Sequence, residues 1–177
     1  MRKLYNHELN RLTPEEFRAS RKIPVAVVLD NVRSMNNIGS VFRTADAFLI
    51  EKLYLCGITA TPPQNEIHKT ALGATETVSW VYEADTLKVL ENLKKSGYWL
   101  LAIEQAENSI KLGSIAFEPE LKIALVFGHE VRGVQQKVID LCDAVLEVPQ
   151  FGTKHSINVS VCAGIVLWEI SKNYLIQ

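Results

Sequence analysis

Three short polar stretches of this 177-residue chain hold the side chains best suited to chemistry. The first is Asn36-Asn37-Ile38-Gly39, leading to Arg43. The second is Gly128-His129-Glu130-Val131-Arg132-Gly133, and the third is Pro149-Gln150-Phe151-Gly152-Thr153-Lys154-His155-Ser156-Ile157-Asn158. Guanidinium, carboxylate, carboxamide and hydroxyl groups hold and polarise a ligand through charge and hydrogen bonds. Taken singly, each stretch has an ordinary reading. Asn37 ahead of a helix is an N-cap, and Gly39 and Arg43 serve packing and surface. The glycines around Glu130 turn the chain after a strand, and the third stretch has no mechanism by itself. A phosphate-binding P-loop is absent, as is G-x-G-x-x-G after the first strand. There is no G-x-S-x-G elbow either. An ordinary nucleotide-binding Rossmann enzyme is therefore unsupported.

The elements that must position these stretches alternate along the chain. Residues 25–29 form a continuous apolar run, as a buried parallel strand does. After a polar loop, Ile38, Val41, Phe42, Ala45 and Leu49 recur at helical spacing. Strands are expected at 53–56, 77–82, 98–103, 121–127 and 144–148. Helices are expected at 85–96, 134–141 and 157–174. This alternation means an α/β domain with a mainly parallel sheet, and in such sheets ligands bind at the carboxyl ends of the strands. All three polar stretches fall there.

Ahead of this domain, Thr13-Pro14-Glu15-Glu16 reads as a capped helix start, with Leu12 and Phe17 as a hydrophobic staple. We take residues 1–23 as a short basic helical extension and residues 24–177 as the main domain. Residues 1–22 hold six basic and three acidic side chains, whereas the whole chain carries −1. A basic segment on an acidic body is an electrostatic footprint for nucleic acid. Cys56, Cys142 and Cys162 are far apart, so metal clusters and disulfides are not expected and a reducing cytoplasm fits. The polar start argues against a secretory signal. The apolar stretch of residues 157–170 is too short and too interrupted to span a membrane, and reads as a buried helix.

Together the three stretches are far more specific than singly. N-N-I-G-S-V-F-R-T-A-D-A-F at residues 36–48, A-L-V-F-G-H-E-V-R-G-V at 124–134 and V-P-Q-F-G-T-K-H-S-I-N-V-S-V at 148–161 resemble the motifs of the SpoU-type (TrmH-like) RNA ribose methyltransferases of the SPOUT superfamily. The likeness covers residues 24–172. Departures are modest: Gln150, Phe151 and Ile157 replace more usual residues, while Ser156 and Asn158 are kept.

The resemblance implies a sheet with helices on both faces and a C-terminal trefoil knot, a homodimer, and S-adenosyl-L-methionine as cofactor. Backbone at Ile103, Phe127, Gly128, Val148, Pro149, Ser156 and Ile157 would hold it, with Gly128 allowing close approach. Methyl transfer to a ribose 2'-hydroxyl would then rest on Arg43, Asn37, Glu130, Ser156 and Asn158. Because guanidinium stays charged, Arg43 would clamp a phosphate or the developing alkoxide. Asn37 would orient Arg43, and Glu130 would pair with it or with RNA-facing groups of a partner subunit. No histidine or cysteine is obviously placed as a base; His129 and His155 read as loop residues. RNA would meet Arg18, Arg21, Lys22, Arg43 and Lys154. Transfer RNA is favoured and ribosomal RNA is the alternative. Base methylation, or an RNA-binding scaffold without catalysis, are the competing readings.

Overall fold

The structure is a computed structural model describing residues 1–118 and 120–176. A 3-10 turn at Asn6–Glu8 precedes α1, Pro14–Ala19. The capping box anticipated for α1 is present: Glu16 N–H donates to the Thr13 hydroxyl at 3.2 Å, and Thr13 N–H donates to the Glu16 carboxylate at 2.8 Å. Leu12 stays half exposed, but Phe17 is buried in the main core. The Phe17 ring thus anchors the extension to the domain core.

The chain then alternates through β1 (Ile23–Asp30), α2 (Met35–Ala47), β2 (Ile50–Cys56), α3 (Asn65–Ala71), α4 (Ala74–Thr77), β3 (Trp80–Glu83), α5 (Thr86–Lys95), β4 (Trp99–Ile103), β5 (Ile110–Lys111), β6 (Ile123–Phe127), α6 (Gln136–Leu141), β7 (Ala144–Glu147) and α7 (Val159–Leu175). Among the described residues, seven strands form one sheet in the order β3-β2-β1-β6-β4-β7-β5. Each pairing in it is parallel. Pro24, which cannot donate to a ladder, sits where the β1–β2 register shifts, a position that tolerates proline.

Burial on both sides follows from alternation along each strand. Val25, Val27, Leu29, Leu125 and Phe127 face a core completed by Ile38 and Phe42 of α2, Ile67 of α3, and Ala163 and Val166 of α7. Ala26, Val28, Ala124 and Val126 face a second core under Leu90 and Leu93 of α5 and Val138 of α6. Helices therefore cover both faces, as continuously apolar parallel strands require.

Several expectations need correction. The strand expected at 77–82 is β3 alone; Thr77 ends α4 instead. Helices α3 and α4 and the two-residue β5 were not anticipated. α3 buries only Ile67 and Ala71 and has no side-chain N-cap, so it leaves almost no periodic signal. α7 is not wholly buried: Val161 is 52 %, Ile165 39 % and Trp168 48 % exposed, one stripe along the helix. Among the described residues, no helix is long and apolar enough to cross a membrane, and no cluster of side chains suited to a metal ion is present. The three thiols are free. Burial raises them, Cys56 and Cys142 to about 12 and Cys162 to about 11, which makes them poor nucleophiles.

Candidate active site

The carboxyl ends of β1, β4, β6 and β7 are neighbours in the sheet, and the polar stretches leave from three of them. β6 delivers Gly128 and then a tight turn. His129 and Gly133 exchange backbone hydrogen bonds of 3.1 and 2.8 Å. The buried His129 ring accepts from Val131 N–H through Nδ1 at 3.0 Å. His129 is thus a structural part of the loop. Gly133 has a positive φ of 65°, which suits glycine. At Gly128 a Cβ would lie 2.3 Å from the Gly133 carbonyl carbon and from Val134 N. The space at Gly128 is therefore taken by the loop's own backbone, a correction to the expectation that a ligand requires this glycine.

The turn carries Glu130 to the start of α2. Its carboxylate accepts from Arg33 N–H at 3.0 Å, Ser34 N–H at 2.9 Å and Asn37 Nδ2 at 3.1 Å. Burial would raise this carboxyl, but the backbone N–H groups of Arg33 and Ser34 and the Asn37 amide outweigh it, leaving it below the usual carboxylate value. Nor is Asn37 the N-cap of α2. Ser34 takes that place, its hydroxyl accepting from Asn37 N–H at 3.3 Å, which frees the Asn37 side chain to bridge. Asn37 Oδ1 accepts from Asn158 Nδ2 at 3.1 Å and from Ser160 Oγ at 3.4 Å. Asn158 in turn caps α7, accepting from Ser160 N–H at 2.9 Å. That cap starts α7 two residues later than its apolar pattern suggests. One hydrogen-bonded chain, Glu130–Asn37–Asn158, thereby joins all three polar stretches.

Beside this chain lies a cavity of about 570 Å³, within the usual range for a small-molecule site. Ile103, Phe127, Gly128, Ser156 and Ile157 line it, together with Glu130 and Asn158. Val148 and Pro149 are not among its lining residues; Val148 packs against the core instead. Arg132, His155, Glu104 and Gln105 also line it. The last two carry no motif and were missed in the sequence.

Arg43 is elsewhere. It lies six residues beyond Asn37, about 9 Å along the helix and about 240° around it. It is exposed, and among the described residues it makes no side-chain hydrogen bond or ion pair. Asn37 and Glu130 therefore do not orient it within this chain, contrary to expectation; they bond to each other, Asn37 also to the Asn158 and Ser160 side chains and Glu130 to the Arg33 and Ser34 N–H groups. The basic residues of the extension are also distant. Arg18 pairs with Glu15 at 2.8 Å and donates to the Glu76 carbonyl at 3.4 Å. Lys22 folds back onto the Phe17 carbonyl and over its ring, 4.2 Å from the centroid. Arg21 is exposed. All three precede β1, whose eight residues span about 25 Å, so they stand near the opposite end of the sheet from the cavity. Lys154 is exposed on the loop whose neighbouring residues Gln150 and His155 line the cavity.

The sequence profile of the SpoU rRNA Methylase family matches residues 24–168. The chain belongs to this family. A Staphylococcus aureus protein assigned to the TrmH family of tRNA/rRNA methyltransferases is 28 % identical over 148 residues, covering 84 % of this chain and 58 % of its own length. A Staphylococcus haemolyticus relative of the same description is 28 % identical over 160 residues, covering 88 % and 63 %. The SpoU chain thus spans about three fifths of the length of the curated relatives it matches. Among solved structures, an AdoMet-bound rRNA methyltransferase from Sinorhizobium meliloti superposes with a TM-score of 0.80 at 25 % identity, covering 94 % of this chain and 62 % of the other. The A. aeolicus TrmH/SpoU tRNA modifying enzyme has the same fold, with a TM-score of 0.79 at 24 % identity and coverage of 90 % and 81 %.

Proposed function

We propose that this SpoU protein is an S-adenosylmethionine-dependent methyltransferase acting on a ribose 2'-hydroxyl of structured RNA. The observation that carries the reading is the closure of three loops by Glu130, Asn37 and Asn158 beside one cavity. The cavity suits the cofactor chemically. Ile103, Phe127, Val134 and Ile157 offer apolar walls for an adenine, while Ser156 and loop backbone offer partners for hydroxyl and ammonium groups. The AdoMet-bound relative from Sinorhizobium meliloti supports this assignment.

When bound, the cofactor supplies an activated methyl group on a good leaving group. The protein's task is then to place the ribose oxygen and stabilise its developing charge. Arg43 suits that role as a fork-shaped clamp on phosphate and alkoxide, not as a base. Ser156, exposed at the cavity, is a polar contact for the ribose. Glu130 and Asn37 hold the loops.

Because Arg43 is exposed and does not line its own chain's cavity, we assign it to the cavity of a second copy. The exposed stripe of Val161, Ile165 and Trp168 on α7, next to α2, is the surface through which two copies would pair. The SpoU match supports a C-terminal trefoil knot formed by the loops around the cavity. Transfer RNA is the substrate class we favour, on the charge of residues 1–22, and ribosomal RNA is the alternative. The test is transfer of a labelled methyl group from S-adenosylmethionine to each RNA pool. Transfer to transfer RNA is expected; no transfer to any RNA would refute the reading.

A further inference from the structure

Two residues outside the three polar stretches stand between two of the loops. β4 lies between β6 and β7 in the sheet, so the chain leaving β4 passes between the loop after β6 and the loop after β7. Glu104 N–H continues the pairing with β7, donating to the Leu146 carbonyl at 3.2 Å. Its side chain reaches the other loop. Oε2 accepts from Val134 N–H at 3.0 Å, and Oε1 accepts from Gln105 N–H at 2.8 Å. The contact is close enough that a Cβ on Gly133 would come within 2.1 Å of Oε2. Gln105 takes the opposite loop, its Nε2 donating to the His155 carbonyl at 2.7 Å. Both residues line the cavity.

The two loops differ in how they are otherwise held. Residues 128–134 have their own backbone pairing between His129 and Gly133. Residues 149–157 have no backbone–backbone hydrogen bond among the described residues, and the Gln105–His155 contact is the one hydrogen bond there that ties them to the rest of the chain. A nine-residue segment held so lightly would need ordering whenever a ligand bound, and fixing it beforehand strengthens binding.

We propose that Glu104 and Gln105 form a clamp that pre-sets the two cavity loops, one each, and so sets the affinity of the cavity for the adenosyl group. They are positioning residues, and the proposal rests on the cofactor reading of this cavity. It explains why these two side chains diverge from adjacent positions: the strand order itself puts one loop on each side of them.

The full chain is titrated with S-adenosylhomocysteine by calorimetry, and the loop is followed by nitrogen-15 relaxation without ligand. Gln105→Ala should weaken binding roughly three- to tenfold, the value of one hydrogen bond. It should also lower the order parameters of residues 150–157 toward the flexible range below about 0.6, with the melting temperature of the ligand-free protein unchanged. Gln105→Lys, which restores a donor, should recover both. Glu104→Ala should loosen residues 129–134 instead, while Glu104→Gln, which keeps an acceptor, should hold them. Absence of binding by the unsubstituted protein would refute the cofactor reading, while relaxation would still report on the clamp. If Gln105→Ala bound as tightly as the unsubstituted protein, or left residues 150–157 as ordered, the clamp would be overturned.

Discussion

The Glu130 carboxylate accepts a 3.1 Å hydrogen bond from Asn37 Nδ2 across 93 residues of sequence. Two backbone N–H groups at the start of α2 converge on the same carboxylate, where a negative charge is favoured by the free amides of a helix N-terminus. Glu130 therefore acts as a remote cap that fixes the loop after β6 to the loop after β1.

This arrangement predicts a defined pH dependence. The carboxyl is held below its unfolded value of about 4.3. A depressed folded-state value contributes stability that is fully present above the unfolded one and is lost as pH falls through the folded one. Urea melts between pH 6 and pH 3 should show this loss. Glu130→Gln should flatten the acid limb, and an unchanged limb would contradict the assignment.

Asn37 is buried and bonded on both sides. Asn37→Ala leaves Glu130 and Asn158 without their bridge and should destabilise the fold by about 1–3 kcal/mol. Asn158→Ala removes the cap of α7 and should cost about 1 kcal/mol. Because the two share one chain of bonds, the double variant should lose less than the sum of the single losses. Chemical denaturation of the four proteins checks this.

Gly128→Val is expected to fail through the loop. Its side chain would meet the backbone of Gly133 and Val134, so both stability and cofactor affinity should fall together. Loss of affinity at full stability would return the glycine's role to direct ligand approach.

The proposed pairing of two copies predicts complementation. Trp168→Glu should give a monomer by light scattering that still binds cofactor but does not transfer methyl groups. Arg43→Ala mixed with cavity-blocked Ile157→Trp should regain activity, because the hybrid pair holds one complete site. Were Arg43 to serve its own cavity, the mixture would stay inactive.

Much of this scaffold was legible because β1 and β6 are runs of apolar residues buried on both faces, and α2 and α5 show clear helical periodicity. The three loops were legible as a set from residue type. Their wiring was not. Asn37 and Ser34 have similar preference for a cap, and only Glu130, far along the chain, decides between them. The outward direction of Arg43 follows from its angular offset on α2, which depends on which face the core claims. Glu104 and Gln105 carry no motif at all; their meaning comes from the strand order, which places β4 between β6 and β7. Likewise, the charge of residues 1–22 was visible but not its place. Phe17 fixes that segment near the amino ends of the strands, where Arg18 and Lys22 find partners within the chain.

In the proposed reaction Arg43 stabilises charge on a ribose oxygen. This role is tested by nucleoside mass spectrometry of transfer RNA and ribosomal RNA after incubation with the protein and isotope-labelled S-adenosylmethionine. Label is expected on a ribose 2'-oxygen. Turnover should fall about a hundredfold or more in Arg43→Ala, and nearly as much in Arg43→Lys, which keeps the charge but loses the planar fork. Label on a base, or near-normal turnover in the lysine variant, would contradict it.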